Sequence, residues 1–328
     1  MFRLVLITCA LLCCSCSKMP RYEFSGSTMG TYYRVQAFCA APVAGLEARL
    51  DTTLAAVNAE MSTYLPDSAL SQFNQAPVGD WVPVAADLAD VVSAARKLSE
   101  MSTGAFDVTV GPLVNLWGFG PEEAGGIPEP AAIDAARERV GYHHLDVRLS
   151  PPALKKQAPV YVDLSAIAKG HGVDRLARVL LESGCESYLV DIGGEVRAGA
   201  RKPDGQPWRI GVEVPDARQV GGVQRVVPLV EFAVATSGDY RNFLEAGDRR
   251  YSHTIDPRTG APVRHELASV TVLAPTAMSA DGLATLLNVL GPVAGLEFSE
   301  QHSVAALFII RTESGFEERA SRAFELHH

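Results

Sequence analysis

From Ser187 to Ala274 the chain reads as one strand after another, with no segment of helical period between them. "SYLVDIGGEVRAGA" is two strands around Gly193-Gly194, and "WRIGVEV", "VVPLVEFAVATS", "RRYSHTID" and "ASVTVLA" follow. Helical patterns stand apart from this run. Leu46, Leu50, Leu54 and Val57 share a face in residues 44–60, as do Leu88, Val91, Val92, Ala95 and Leu98 between Ala85 and Met101. "PAAIDAARERVG" has Pro at its start and Gly at its end, "SADGLATLLNVLG" is helical, and Val173, Leu176, Ala177, Leu180 and Leu181 form a stripe that Gly184 stops. A repeating βαβ array would place a helix after each strand, so this grouping predicts an α+β fold. "TYYRVQAF" and "VYVDLS" read as earlier strands, and "VAALFII" and "FEERASRAFEL" as closing ones. The Gly- and Pro-rich stretch "TGAFDVTVGPLVNLWGFGPEEAGGIPEP" reads as a long loop, of a length usually tied to function. With no repeat or clean linker visible, one compact unit is expected.

Charge narrows the partners. Twenty-nine Lys plus Arg against 38 Asp plus Glu give a net charge of -9 with no basic stripe, which excludes a nucleic-acid binder. An anionic ligand would need local cations or a metal. At the amino terminus, Arg3 and the short apolar run "LVLITCALLCC" read as an export signal rather than a membrane span, and no later run is apolar for long enough to span. The run ends "LLCCSCSK", which resembles a lipoprotein signal cut before a cysteine that takes the lipid. Cys16 is that cysteine, with Cys14 as the alternative, so residues 1–16 form the signal region and 17–328 the working domain. Cys39 and Cys185 lie well inside the mature chain without metal-ligand spacing; they read as small buried residues, with a disulfide as the alternative.

Three stretches carry chemistry. In "VDLSAIAKGHGVDRLARVLLESG", Asp163, Lys169, Gly170 and Gly172 mark a turn into a helix start. The two glycines either open the first turn to an anion or allow a close helix–sheet contact. In "MSADGLATLLNVLG", with Ser279 as cap, Asp281 and Thr285 stand four residues apart on one helix face. They supply two hard oxygen ligands for Mg²⁺ or Ca²⁺, or Asp281 merely complements the helix dipole. "RYSHTIDPRTGAPV" is a hairpin turning at Asp256-Pro257-Arg258-Thr259, and strand alternation puts Tyr251, His253 and Ile255 on one face. His253 is either structural or a base.

Taken in order, "GSTMGTYYRV", "MSTYLPDSALSQFN", "TGAFDVTVGPLVNLWGFG", "VDLSAIAKGHGVD", "DIGGEV", "ATSGDYRNF", "YSHTIDPRTGAPV" and "MSADGLATLLNVLG" resemble the ApbE family, the FAD:protein FMN transferases, from about Phe24 to about Leu290. The resemblance implies a duplicated β-α-β arrangement of mainly antiparallel strands with packed helices. It implies an enzyme that takes FAD as substrate, attaches the FMN half to a Thr or Ser hydroxyl of another protein, releases AMP and uses Mg²⁺. Carried onto this sequence, the metal ligands are the Ala166 carbonyl, Asp281 and Thr285. Flavin contacts are Met29, Tyr64, Ala105, Phe106, Asp107, Asp163, Lys169 and Ile255, and His253 is the base. The glycine-rich helix start then lies alongside the dinucleotide. Acceptors are exported flavoprotein domains, such as those of sodium-translocating NADH:quinone reductase or Rnf-type complexes, met outside the cytoplasmic membrane by a lipid-anchored enzyme. An FAD pyrophosphatase and a non-catalytic flavin-binding lipoprotein are the alternatives.

Overall fold

The computed structural model describes residues 19–121, 126–215, 222–238, 243–246 and 249–327; the signal region, with Cys16 and Cys14, lies outside the described residues. Strands β1 (Arg21–Thr28) and β2 (Thr31–Phe38) form a hairpin whose two turn residues, Met29 and Gly30, are both left-handed, as so tight a turn requires. A long excursion follows: α1 (Leu46–Met61), α2 (Ala69–Gln75), β3 (Trp81–Pro83), α3 (Ala86–Met101), α4 (Gly111–Leu116), α5 (Pro130–Arg137), β4 (Leu145–Leu149) and β5 (Pro152–Lys156). The chain returns through α6 (Ala168–Glu182) to the hairpin β6 (Ser187–Ile192) and β7 (Glu195–Ala198). Next come the hairpin β8 (Trp208–Glu213) and β9 (Val223–Leu229), then β10 (Ala233–Gly238). Short strands β11 (Phe243–Ala246), β12 (Arg249–Ser252), β13 (Ile255–Asp256) and β14 (Ala261–Pro262) lead to β15 (Leu267–Ala274). The chain closes with α7 (Ala277–His302), β16 (Ala305–Thr312), β17 (Gly315–Ala320) and α8 (Arg322–Glu325).

Eight strands build the main sheet in the order β1-β2-β6-β7-β10-β15-β16-β17, every neighbouring pair antiparallel. The order divides into two equivalent units. In the first, β1 and β2 pass through α6 to β6 and β7; in the second, β10 and β15 pass through α7 to β16 and β17. The fold is thus α+β and duplicated. The units meet where β7 pairs with β10 at Val196↔Val234 and Arg197↔Ala233 and where α6 packs against α7.

Helices α6 and α7 lie side by side on one face of this sheet, α6 over β6 and β7 and α7 over β10 and β15. Val173, Leu176 and Leu180 bury against Val35, Val190 and Ile192, while Ala284 and Leu287 join Val270, Val272 and Phe308. On the opposite face Trp208, Val212, Val227, Leu229 and Phe324 cover Val234, Leu273, Leu307 and Ile309. β15 is therefore buried on both faces. By length and composition the 26-residue α7 passes for a membrane span, but it is a core helix, broken at Gly291 (φ 75°) just before Pro292.

Several expectations change. Cys39 and Cys185 form a disulfide rather than standing as separate buried thiols. Cys39 follows β2, Cys185 precedes β6, and these strands pair with Phe38 opposite Ser187. "VYVDLS" is not a strand: Asn74 grips both the N–H and the C=O of Val162 with its side-chain amide, and one bridge from Tyr161 to Val110 is all that pairs. The stretch read as a long loop contains α4, entered through Pro112. "FEERASRAFEL" leaves the sheet at Ser321, whose hydroxyl caps α8. The cap of α7 is Thr276, which accepts from the Ser279 N–H, so Ser279 lies inside the helix.

Candidate active site

Where β7 and β10 part, a cavity of about 620 Å³ opens between the two units. Its walls include the Gly193-Gly194 turn, the end of β10 at Thr236, Ser237 and Gly238, and the amino-terminal turns of α6 and α7. Asp174 on α6 holds that corner together. Its carboxylate accepts from the Ala277 and Met278 N–H groups at the start of α7 and pairs with Arg197 on β7 at 2.6 Å.

Ten of the twelve residues carried over from the resemblance within the described chain line this cavity: Ala105, Phe106, Asp107, Asp163, Ala166, Lys169, His253, Ile255, Asp281 and Thr285. Met29 does not. It sits in the β1–β2 turn and wedges its thioether over Gly172. Tyr64 is also outside the lining, 62% exposed, its hydroxyl donating to the Phe119 carbonyl at 3.3 Å. Phe119 itself lines the cavity and meets the His253 ring edge-on at 6.4 Å. The strand alternation expected at Tyr251, His253 and Ile255 does not run through, because β12 ends at Ser252 and β13 begins at Ile255. Tyr251 and Ile255 bury against Trp117, whereas His253 stands half-buried at the cavity.

Two of the carboxylates are fastened by the protein itself. Asp163 accepts from the N–H and hydroxyl of Ser165, which fixes the turn that delivers Ala166. Asp107 accepts from Thr109 and from the Tyr142 N–H; burial nonetheless holds its carboxyl above the ordinary range.

The electrostatic centre is a residue the sequence reasoning missed. Glu195, 3% exposed, binds the Lys169 ammonium at 2.6 Å through one oxygen, while its Oε2 is buried without a hydrogen-bond partner. Burial pushes Glu195 up to about 7 against the pull of Lys169. Asp281, also buried, is raised by the same cause, though Lys169 and the Gly170 N–H at 2.9 Å both favour its charged form. For Lys169 burial favours the neutral amine, but Asp281, Glu195 and Asp191 outweigh it and raise its pKa. The only signal for Glu195 was a charged residue directly after a Gly-Gly turn, between strand neighbours that bury.

The helix-start glycines do not face a ligand. A Cβ on Gly170 would collide with the Ala277 carbonyl and lie 2.8 Å from the Asp281 Cβ; one on Gly172 would meet Met29 and Ile192. Both glycines serve close packing, Gly170 against α7 and Gly172 against the sheet. The Gly170 N–H, expected to be free for an anion, is taken by the protein's own Asp281.

Residues 29–308 match the model of the ApbE family. The chain belongs to that family. A Haemophilus influenzae relative, FAD:protein FMN transferase, is 42% identical to this ApbE-family chain over 332 residues, 98% of the chain and 96% of the relative. Flavin transferase ApbE from Vibrio cholerae superposes with a TM-score of 0.86 at 43% identity, over 94% of this chain and 99% of that one. The apo form of Pseudomonas stutzeri flavinyl transferase ApbE does so at 0.87 and 40%, over 95% and 98%. Both solved structures share the α+β fold described above.

Proposed function

We propose that this chain is an FAD:protein FMN transferase, which moves the FMN half of FAD to a Thr or Ser hydroxyl of an acceptor protein and releases AMP. The observation that carries the reading is the convergence of Lys169, Asp281, Thr285, Ala166 and His253 on one cavity, in a chain that matches transferases along nearly its whole length. In the reaction the acceptor oxygen bonds to the FMN-side phosphorus, and the bond from that phosphorus to the AMP phosphate oxygen breaks. His253 takes the hydroxyl proton. Lys169, paired with Glu195 at the cavity wall, would offset negative charge on the two phosphates. The cavity lies between the two helix starts, and Phe119 on its wall holds the exposed Tyr64 hydroxyl through its carbonyl.

The site suits Mg²⁺. Among the described residues no three His, Cys, Asp or Glu side chains cluster as a metal cage. A hard cation with retained waters does not need one, since one carboxylate plus neutral oxygens suffices. Asp281, Thr285 and the Ala166 carbonyl line the same cavity. The buried acid there exceeds the single ammonium, and Glu195 Oε2 has no partner. Asp281, Thr285 and Ala166 would hold the ion, which when bound supplies positive charge at the pyrophosphate.

The setting follows from the amino terminus. The mature chain from Cys16 onward works as one domain, lipid-anchored on the outer side of the cytoplasmic membrane, with exported flavoprotein domains of the sodium-translocating NADH:quinone reductase or Rnf type as acceptors. The Cys39–Cys185 disulfide is in keeping with an oxidising compartment.

The test is incubation with FAD, Mg²⁺ and an exported acceptor domain bearing a reactive Thr. Mass spectrometry of the acceptor shows one added FMN, and chromatography shows AMP. His253→Ala binds FAD but transfers roughly 10²–10⁴ slower, the usual worth of a placed base. AMP with free FMN and an unmodified acceptor identifies a hydrolase instead, and intact FAD under every condition identifies a carrier.

A further inference from the structure

Helix α7 carries a third polar residue on the face that presents Asp281 and Thr285. Asn288 follows Thr285 by three residues and Asp281 by seven, so all three stand on one stripe. It is 1% exposed. A buried primary amide is costly unless its polar atoms are used; both hydrogens are, while Oδ1 has no hydrogen-bond partner among the described residues. Nδ2 lies 3.1 Å from Ser237 Oγ at the end of β10 and 3.1 Å from Thr254 Oγ1. Thr254 is the residue between His253 and Ile255, in the gap between β12 and β13. Its other bonds are local: its N–H donates to Ser252 Oγ, and its carbonyl accepts from the Val263 N–H. The Asn288 bond ties this peptide to the helix that carries Asp281.

The helix is built to present this amide. Pro292, four residues after Asn288, has no N–H to give the Asn288 carbonyl. His265 Nε2 takes that place at 2.7 Å. The turn then breaks at Gly291, where a Cβ would strike the His265 ring, so the helix end, the imidazole and the amide form one fitted unit.

We infer that Asn288 is a positioning residue for transfer: by clamping Thr254 to Ser237 it sets the His253 imidazole relative to the Asp281 and Thr285 oxygens on its own helix. Asn288 does not itself line the cavity and acts through His253, so the inference rests on His253 as the base.

A double-mutant cycle with FAD, Mg²⁺ and a Thr-bearing acceptor domain tests it. Asn288→Leu and Thr254→Val each lower kcat for transfer about tenfold or more, the scale on which a mispositioned catalytic group costs rate. The KM for FAD changes less than twofold. Thr254→Ser, which keeps the hydroxyl, recovers most of the rate lost in Thr254→Val. In the His253→Ala background, Asn288→Leu has no further effect, because the group it positions is gone. An additive loss in that background, a rise in KM that accounts for the whole effect, or a Thr254→Ser as slow as Thr254→Val overturns the positioning role. Full transfer by His253→Ala alone instead overturns the assignment of the base. Thermal melts accompany each variant, and should Asn288→Leu not fold, the Thr254 pair in both backgrounds decides.

Discussion

Gly170 and Gly172 are two residues apart near the start of α6, yet their substitution by Ala should have unequal consequences. A methyl on Gly170 would collide with the Ala277 carbonyl oxygen, lie 2.6 Å from its carbon and 2.8 Å from Asp281 Cβ. Those atoms belong to the backbone and first turns of α7, so relief requires the helices to part by about 1 Å to reach ordinary contact distance. Overpacking of this kind costs about 1–3 kcal/mol. Separation also breaks the Gly170 N–H bond to the Asp281 carboxylate, worth about 1.5–3 kcal/mol. Replacing Gly by Ala in a helix returns about 1 kcal/mol. The net loss is about 1.5–5 kcal/mol, which lowers Tm by roughly 2–8 °C for a chain of this size. On Gly172 the obstacles are the Met29 methyl at 2.8 Å and Ile192 Cδ1 at 3.2 Å. Met29 is a flexible thioether that can swing away, so Gly172→Ala should stay within about 1 kcal/mol of the parent. Differential scanning calorimetry of the three proteins reads the difference directly. Because Gly170→Ala displaces Asp281, its Mg²⁺ requirement for half-maximal transfer should also rise, while that of Gly172→Ala should not. Equal melting temperatures for the two variants would refute the packing argument.

Three further outcomes are expected. Cys39→Ser with Cys185→Ser should cost about 2–5 kcal/mol, since the bond closes a loop of 146 residues, and a urea midpoint that does not fall contradicts this. Glu195 holds its proton in the folded chain up to about 7, whereas at its ordinary 4.5 the unfolded chain has already released it. Its contribution to stability therefore falls as pH rises through that window and levels off above it; Glu195→Gln should flatten that part of the urea-midpoint profile, and an unchanged slope counts against the assignment. Cys16→Ser should move the protein from the membrane fraction to soluble export, and unchanged partition on fractionation would shift the anchor to Cys14 or remove it.

The features legible in the sequence were those that need only local spacing. Asp281 and Thr285 share a face wherever α7 begins, so taking Ser279 instead of Thr276 as the cap did no harm. The Asp256–Gly260 turn was equally local, and the Asp256 carbonyl accepts from the Thr259 and Gly260 N–H groups as such a turn demands. What depended on distant partners was illegible. A glycine shows that a Cβ is missing but not what comes close, which is why Gly170 suggested a ligand and met α7 instead. Glu195 looks like an ordinary strand residue until Lys169, 26 positions earlier, is brought to its carboxylate. Cys39 and Cys185 pair only because β2 and β6 do. Strand alternation misplaced Tyr251 with His253, since a two-residue interruption re-aims the chain.

The seam between β7 and β10 has a consequence for ancestry and division of labour. Two identical ββαββ units would present the same helix start twice. Here the first unit contributes Lys169 on α6 with Glu195 on β7, and the second Asp281 and Thr285 on α7, across a seam where α6 packs against α7 and Asp174 binds the start of α7. A site lined by both helix starts exists only where the two units are packed together, so neither unit holds it alone.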